Sequence, residues 1–213
     1  QNGNMYEFVT HTWNTIKGSC SHNCSYCYMK RWGKLPEIRF DKKELKTDLG
    51  KDNFIFVGSS NDMFAKDIPL EWISATIDHC DSFDNKYLFQ SKNPSGFHGW
   101  LFPEKTVLGT TIETNRNYNI SDAPTPQERA EAFYKIDRRT IEVMITIEPI
   151  LDFDLKELVA LIERVKPNWI NIGADSKKGN LPEPEPNKIR ELIEALSFSD
   201  IKIKKNLRRL NSL

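Results

Sequence analysis

The chain has 213 residues, of which 38% are hydrophobic and 28% charged. That is the size and make-up of one soluble domain with its own core. Lysine plus arginine equals aspartate plus glutamate at 30 each, which excludes a global basic field and leaves nucleic-acid binding to a local patch. No apolar run is long enough for a bilayer span, and no charged-then-apolar signal opens the chain, so a cytoplasmic protein without a membrane partner is expected.

In chain order, residues 1–5 read as an unstructured lead-in and residues 6–213 as a single domain. Residues 7–13, rich in β-formers, predict the first strand. A cysteine-bearing loop follows at once, then a longer excursion over 28–40 with no acidic residue before Glu37. Asp41 reads as an N-cap, with Glu44 placed as in a capping box. Residues 53–57 predict a second, buried strand. After Pro69, Leu70, Ile73, Ile77 and Cys80 stand at helical spacing, so Cys80 is expected to be core packing.

Residues 86–90 predict a third strand ending in Ser91-Lys92-Asn93-Pro94, with a short helix or turn at 96–101. A fourth strand over 106–112 ends in Glu113-Thr114-Asn115-Arg116. A helix over 127–136 precedes a fifth strand, 141–147, which closes on Glu148-Pro149. A helix over 154–165 leads to a sixth strand, 168–172, ending in Gly173-Ala174-Asp175-Ser176. A polar, proline-rich loop over 177–186 and a helix over 187–196 follow. The tail from about 200 to 213 opens with alternating isoleucine and lysine, the pattern of a protected basic edge strand. Six strand–helix alternations predict an α/β fold with a parallel sheet, an incomplete TIM-like (β/α)6 barrel. Such barrels place chemistry beyond the carboxyl ends of their strands.

Three of the four cysteines lie in the string Gly18-Ser19-Cys20-Ser21-His22-Asn23-Cys24-Ser25-Tyr26-Cys27-Tyr28. Clustered cysteines without a secretory signal favour metal over disulfides. Three thiolates can hold three irons of a four-iron cluster and leave the fourth open to a small molecule. A zinc site completed by His22 or Cys80 is the alternative, and it would make the chain a non-enzymatic scaffold. Only Cys80 lies outside the loop, so a second cluster is not expected.

The C-x3-C-x2-C spacing, with Tyr26 before its last cysteine, resembles the radical SAM superfamily, whose core fold is the same six-stranded barrel. The resemblance extends over roughly residues 6–196. It implies a [4Fe-4S] cluster on Cys20, Cys24 and Cys27, with S-adenosylmethionine (SAM) on the open iron. It also implies reductive cleavage to a 5′-deoxyadenosyl radical that takes hydrogen from a substrate, and an electron donor such as flavodoxin or ferredoxin. By resemblance Tyr26 lies against the adenine, and Ser59, Ser60, Asn61 and Asp62 take the amino group. Thr110, Glu113 and Asn115 approach the ribose. Lys92, Glu148 and Asp175, each following a strand, are the candidate catalytic residues, and a cation at Lys92 suits a carboxylate or phosphate.

Strings such as Thr10-His11-Thr12-Trp13-Asn14 and Gly109-Thr110-Thr111-Ile112-Glu113 resemble a phage- and prokaryote-borne group of short radical SAM proteins of unassigned substrate. That group is loosely related to spore photoproduct lyase. This, with the basic–aromatic stretch over 28–34, favours a nucleic acid or nucleotide substrate. A small heterocyclic metabolite is the alternative. A barrel that keeps its cluster only as an electron relay is a further one.

Overall fold

The computed structural model describes residues 5–176 and 180–210. The expected lead-in lies, apart from Met5, outside these residues, as do the first three positions of the proline-rich loop. The strands are β1 (His11–Trp13), β2 (Ile16–Lys17), β3 (Arg39–Phe40), β4 (Phe54–Val57), β5 (Lys86–Gln90), β6 (Thr106–Thr111), β7 (Glu142–Ile147), β8 (Trp169–Ile172) and β9 (Asp200–Ile203). The helices are α1 (Leu70–Asp81), α2 (Pro126–Tyr134), α3 (Leu155–Val165) and α4 (Pro186–Ala195). Seven strands form one sheet in the order β1-β4-β5-β6-β7-β8-β9. Every neighbouring pair is parallel. With β1 and β9 left as edges, this is the open α/β barrel that the strand–helix alternation predicts.

Side chains alternate across each strand, and the two faces have different company. Ile55, Val57, Tyr87, Phe89, Leu108, Val143, Ile145, Ile147, Ile170 and Ile172 join the larger core outside the sheet. There they meet α3 through Leu158, Ile162 and Val165, one face of that helix. Phe56, Leu88, Val107, Met144 and Trp169 point into the lumen with Tyr6 and Val9. Gly109 faces the same way, since a Cβ there would stand 2.9 Å from Met144 Cε.

Several elements differ from the sequence reading. The helix expected from Asp41 is a 3-10 segment, Lys42–Lys46. Asp41 accepts from the Lys43 amide, but Asp41 and Glu44 both bind Lys17 Nζ, at 2.8 and 2.5 Å. That pairing ties a small antiparallel ribbon, β2–β3, which the alternation rule cannot detect in two-residue strands. The connection between β5 and β6 carries only the 3-10 turn Pro94–Phe97. Gly96 is pressed there against Phe64, with a Cβ position 2.7 Å from its carbonyl oxygen. Among the described residues there are therefore four α-helices, and the other two connections carry 3-10 segments. The basic tail is a strand, but it pairs with β8 as a seventh member of the sheet. No helix among the described residues is long and apolar enough to cross a membrane.

The first strand is three residues rather than seven, because the chain before it serves another purpose. Tyr6 is buried in the lumen with its ring stacked on Phe8 at 5.1 Å. Phe8 meets Trp169 edge-on at 5.8 Å. Lys202 of β9 holds its ammonium 4.5 Å from the Trp169 ring and 5.0 Å from Phe8. Residues 5–10 thus stop the lower end of the lumen with aromatic rings.

Candidate active site

The cysteine loop leaves β1 at the carboxyl end of the sheet and is tied from several sides. Gly18 has φ +105°, and a Cβ would lie 2.3 Å from Glu37 O, so only glycine fits. Replacing Gly18 by alanine is expected to cost about 1–3 kcal/mol through backbone strain, read as a lowered urea midpoint. Asn61 Nδ2, beyond β4, donates to Gly18 O (3.1 Å) and Ser19 O (3.0 Å). Ser25 N donates to Ile120 O and Asp122 N to His22 O, both at 2.8 Å. Cys27 caps the 3-10 segment Tyr28–Trp32, whose Tyr28 hydroxyl donates to Ser59 O at 2.7 Å.

Cys20, Cys24 and Cys27 form no disulfide, and all three are half-buried. Burial, then the charge of Asp62, pushes the Cys20 thiol up to about 11, and burial raises Cys24. Among the described residues no three Cys, His, Asp or Glu side chains converge on a metal-sized point. The donor set itself, three soft thiols within eight residues at the mouth of a barrel, fits an iron–sulfur cluster. His22 is otherwise engaged. It is buried, with Nε2 2.8 Å from Asp62 Oδ2. Asp62 also accepts from Lys92 N (2.7 Å) and Phe64 N (3.0 Å). One carboxylate therefore locks the cysteine loop to the ends of β4 and β5.

Asn14, which sequence reasoning passed over, organises the turn after β4. Its Oδ1 accepts from Ser60 N (2.8 Å), Ser60 Oγ (2.9 Å) and Ser59 Oγ (3.3 Å). Asn61 Oδ1 is a buried acceptor that no group among the described residues satisfies. Such an atom costs free energy unless a donor arrives, and an ammonium is one such donor.

Glu113 lies just beyond β6, fully buried, with Arg129 Nη1 2.8 Å from one carboxylate oxygen. The other oxygen takes Lys92 Nζ and the Tyr26 hydroxyl. Burial opposes its charge, but Arg129 and Lys92 outweigh burial and hold the carboxyl at about 2. Lys92 also sits 4.5 Å from the centre of the Tyr26 ring. Tyr26, Lys92 and Glu113 are thus brought together. Two expected ribose contacts are placed elsewhere. Thr110 alternates with the lumen-facing Gly109 and donates to Ser91 O at 2.8 Å. Asn115 spends its amide on Asp154, accepting from its N at 2.8 Å and donating to Oδ2 at 3.2 Å.

Below this layer the lumen is polar. The Tyr6 hydroxyl donates to Gln90 Oε1 (2.7 Å) and stands 2.8 Å from Thr146 Oγ1. Gln90 Nε2 donates to Thr111 Oγ1 at 3.2 Å. Burial, then Glu148, pushes the Tyr6 phenol well above its ordinary range. Across the lumen, Glu148 accepts from Lys204 Nζ at 2.5 Å and Asn206 Nδ2 at 2.7 Å. Asp175 is buried after β8, its carbonyl accepting from Arg209 Nη2 at 2.9 Å. Cys80 is fully buried in α1, in the outer core.

The fold is similar to the open barrel of solved radical SAM enzymes. Spore photoproduct lyase with bound AdoMet and dinucleoside spore photoproduct superposes with a TM-score of 0.58 at 15% identity, covering 87% of this chain and 60% of that one. SuiB of Streptococcus suis bound to S-adenosylmethionine gives 0.59 at 9% identity, over 97% of this chain and 53% of that one. anSMEcpe with bound AdoMet and the Cp18Cys peptide gives 0.53 at 11%, over 91% and 62%. The chain thus spans about three-fifths of the length of the lyase it resembles. No family model and no curated protein matches the sequence.

Proposed function

We propose that the chain is a radical SAM enzyme, with Cys20, Cys24 and Cys27 holding a [4Fe-4S] cluster that leaves one iron for SAM. The observation that carries this is the position of the three thiols, on one anchored loop at the carboxyl mouth of this barrel beside the unsatisfied acceptor Asn61 Oδ1. Asn61 Oδ1 takes the ammonium of SAM, with Ser59, Ser60 and Asp62 shaping that end. Lys92 offers a cation to the carboxylate of SAM, Glu113 approaches the ribose, and Tyr26, which bonds Glu113, lies against the adenine. When bound, cluster and SAM would supply a 5′-deoxyadenosyl radical, made by one-electron reductive cleavage of SAM, to take a hydrogen atom from a substrate, with the electron coming from a donor such as flavodoxin or ferredoxin. The chain's own part is orientation and exclusion of water. The outer core and the aromatic stopper close the lumen below, so reactants enter from the mouth.

The test is anaerobic reconstitution followed by SAM and dithionite. About four irons per chain and 5′-deoxyadenosine are expected. Zinc without iron overturns the reading and returns the loop to a structural zinc site.

For substrate we infer a nucleic acid or nucleotide. The Arg31 guanidinium lies 3.9 Å from the ring centre of Trp32, which is 59% exposed. This cation–aromatic face starts four residues past the last cysteine and suits a stacked base with its phosphate. Trp32→Ala is expected to weaken binding of a single-stranded oligonucleotide by about 1–3 kcal/mol, measured by anisotropy. A steep salt slope should accompany wild-type binding; a flat slope with no effect of the variant favours a small heterocyclic metabolite instead.

A further inference from the structure

The expected SAM contacts all lie at the ends of β1, β4, β5 and β6. The other half of the mouth, over β7, β8 and β9, carries a polar group of its own. Glu148 follows Thr146 by two residues and so shares its lumen face. Its Oε2 pairs with Lys204 Nζ at 2.5 Å, and its Oε1 accepts from Asn206 Nδ2 at 2.7 Å. Lys204 is fixed to the sheet by its amide, which donates to Ile172 O at 2.9 Å. Its ammonium lies 5.0 Å from the centre of the Tyr6 ring. Gly173 makes the space, since a Cβ there would stand 2.7 Å from Glu148 Oε1 and 2.9 Å from Asn206 Oδ1. The side chains of Lys204 and Glu148 keep 20% and 14% of their surface open.

We propose that the Glu148–Lys204 pair is the substrate-recognition site, and that it takes the lactam or imide edge of a nucleobase. The inference rests on the nucleic-acid reading above. The pair is neutral as a unit, so a phosphate gains nothing from Lys204 that Glu148 does not cancel. An ammonium has three N–H donors and each carboxylate oxygen two lone pairs, so both partners keep capacity after pairing with each other. A donor and an acceptor side by side match a ring that presents an N–H next to a carbonyl. The acidic N–H of a lactam or imide suits a carboxylate, and its carbonyl suits an ammonium, better than the amine and ring nitrogen of adenine or cytosine. Asn206 and the Tyr6 ring hold the two charged groups in place, which makes them positioning residues.

The test uses the reconstituted full chain with SAM, without reductant, titrated calorimetrically with thymidine and inosine and with their ring-N-methylated forms. Methylation removes the donor and leaves the rest of the base. The expected result is at least about tenfold weaker binding of the methylated form for one of the two pairs. Glu148→Gln and, separately, Lys204→Met should each reduce that ratio to about threefold or less. Thermal unfolding of each variant controls for folding, and either variant alone suffices if the other fails to fold. Three results overturn the proposal: no discrimination by the wild type, a ratio untouched in both variants, or competition by inorganic phosphate that Lys204→Met abolishes. The radical reading fails separately, if the wild type with dithionite forms no 5′-deoxyadenosine.

Discussion

Replacing any one of Cys20, Cys24 and Cys27 by serine is expected to strip the reconstituted protein of its iron and abolish 5′-deoxyadenosine formation. The three thiols lie on one half-buried loop, and the other nearby candidate ligand is committed, since His22 bonds Asp62 at 2.8 Å. Among the described residues no other thiol lies on the loop, and Cys80 is buried in α1. Cys80→Ala is the control. Cys80 is fully buried in α1, where burial pushes its thiol far up, and its loss should leave the iron count unchanged. Iron and sulfide analysis on the four variants, with each protein's unfolding midpoint, decides the matter. Retention of full iron by any variant of the loop would remove that cysteine from the ligand set.

Glu113→Gln should be the most destabilising single change in the site. Glu113 and Arg129 expose 3% and 4% of their side chains, and Lys92 14%. Removing the carboxylate charge leaves two cations buried without their partner, a loss of about 3–5 kcal/mol for a broken buried pair. Urea unfolding measures it. The pH dependence gives an independent reading. The carboxyl is held at about 2, below its ordinary 4.5, against burial and by Arg129 and Lys92. A group with a depressed folded pKa stabilises above its unfolded value and loses that contribution as pH falls. Wild-type stability should therefore fall between about pH 4.5 and 2, and the variant should lack that share of the slope. Parallel profiles would show that Glu113 does not carry the acid sensitivity.

The cysteine loop was legible because its signal is local: three residues of one type at short spacing. The strands were legible because buried runs such as Phe54–Val57 and Glu142–Ile147 leave few other readings. What failed was what depends on a partner far along the chain. Thr110 and Thr111 are equal in sequence, and it is the strand's facing, with Val107 and Gly109 toward the lumen, that decides which one enters it. His22 and Asp62 are 40 positions apart, and nothing local links them. Asn14 is one polar residue after a strand until Ser59 and Ser60 fold onto it. Residues 5–10 look like the start of a strand because aromatic residues favour strands, but here Tyr6 and Phe8 favour filling a hole. The capping residues at Asp41 misled for a related reason, since Lys17 claims both carboxylates.

The aromatic stopper has a consequence for assembly. Tyr6 bonds Thr146, 140 positions later, and its ring lies under Lys204. These are among the longest loop closures the chain can make, and closures of that length are slow to form. During synthesis the Tyr6 segment must wait for partners that emerge well after it. Until β7 to β9 are in place the lumen has no floor, and the cysteine loop stands on a half-built sheet.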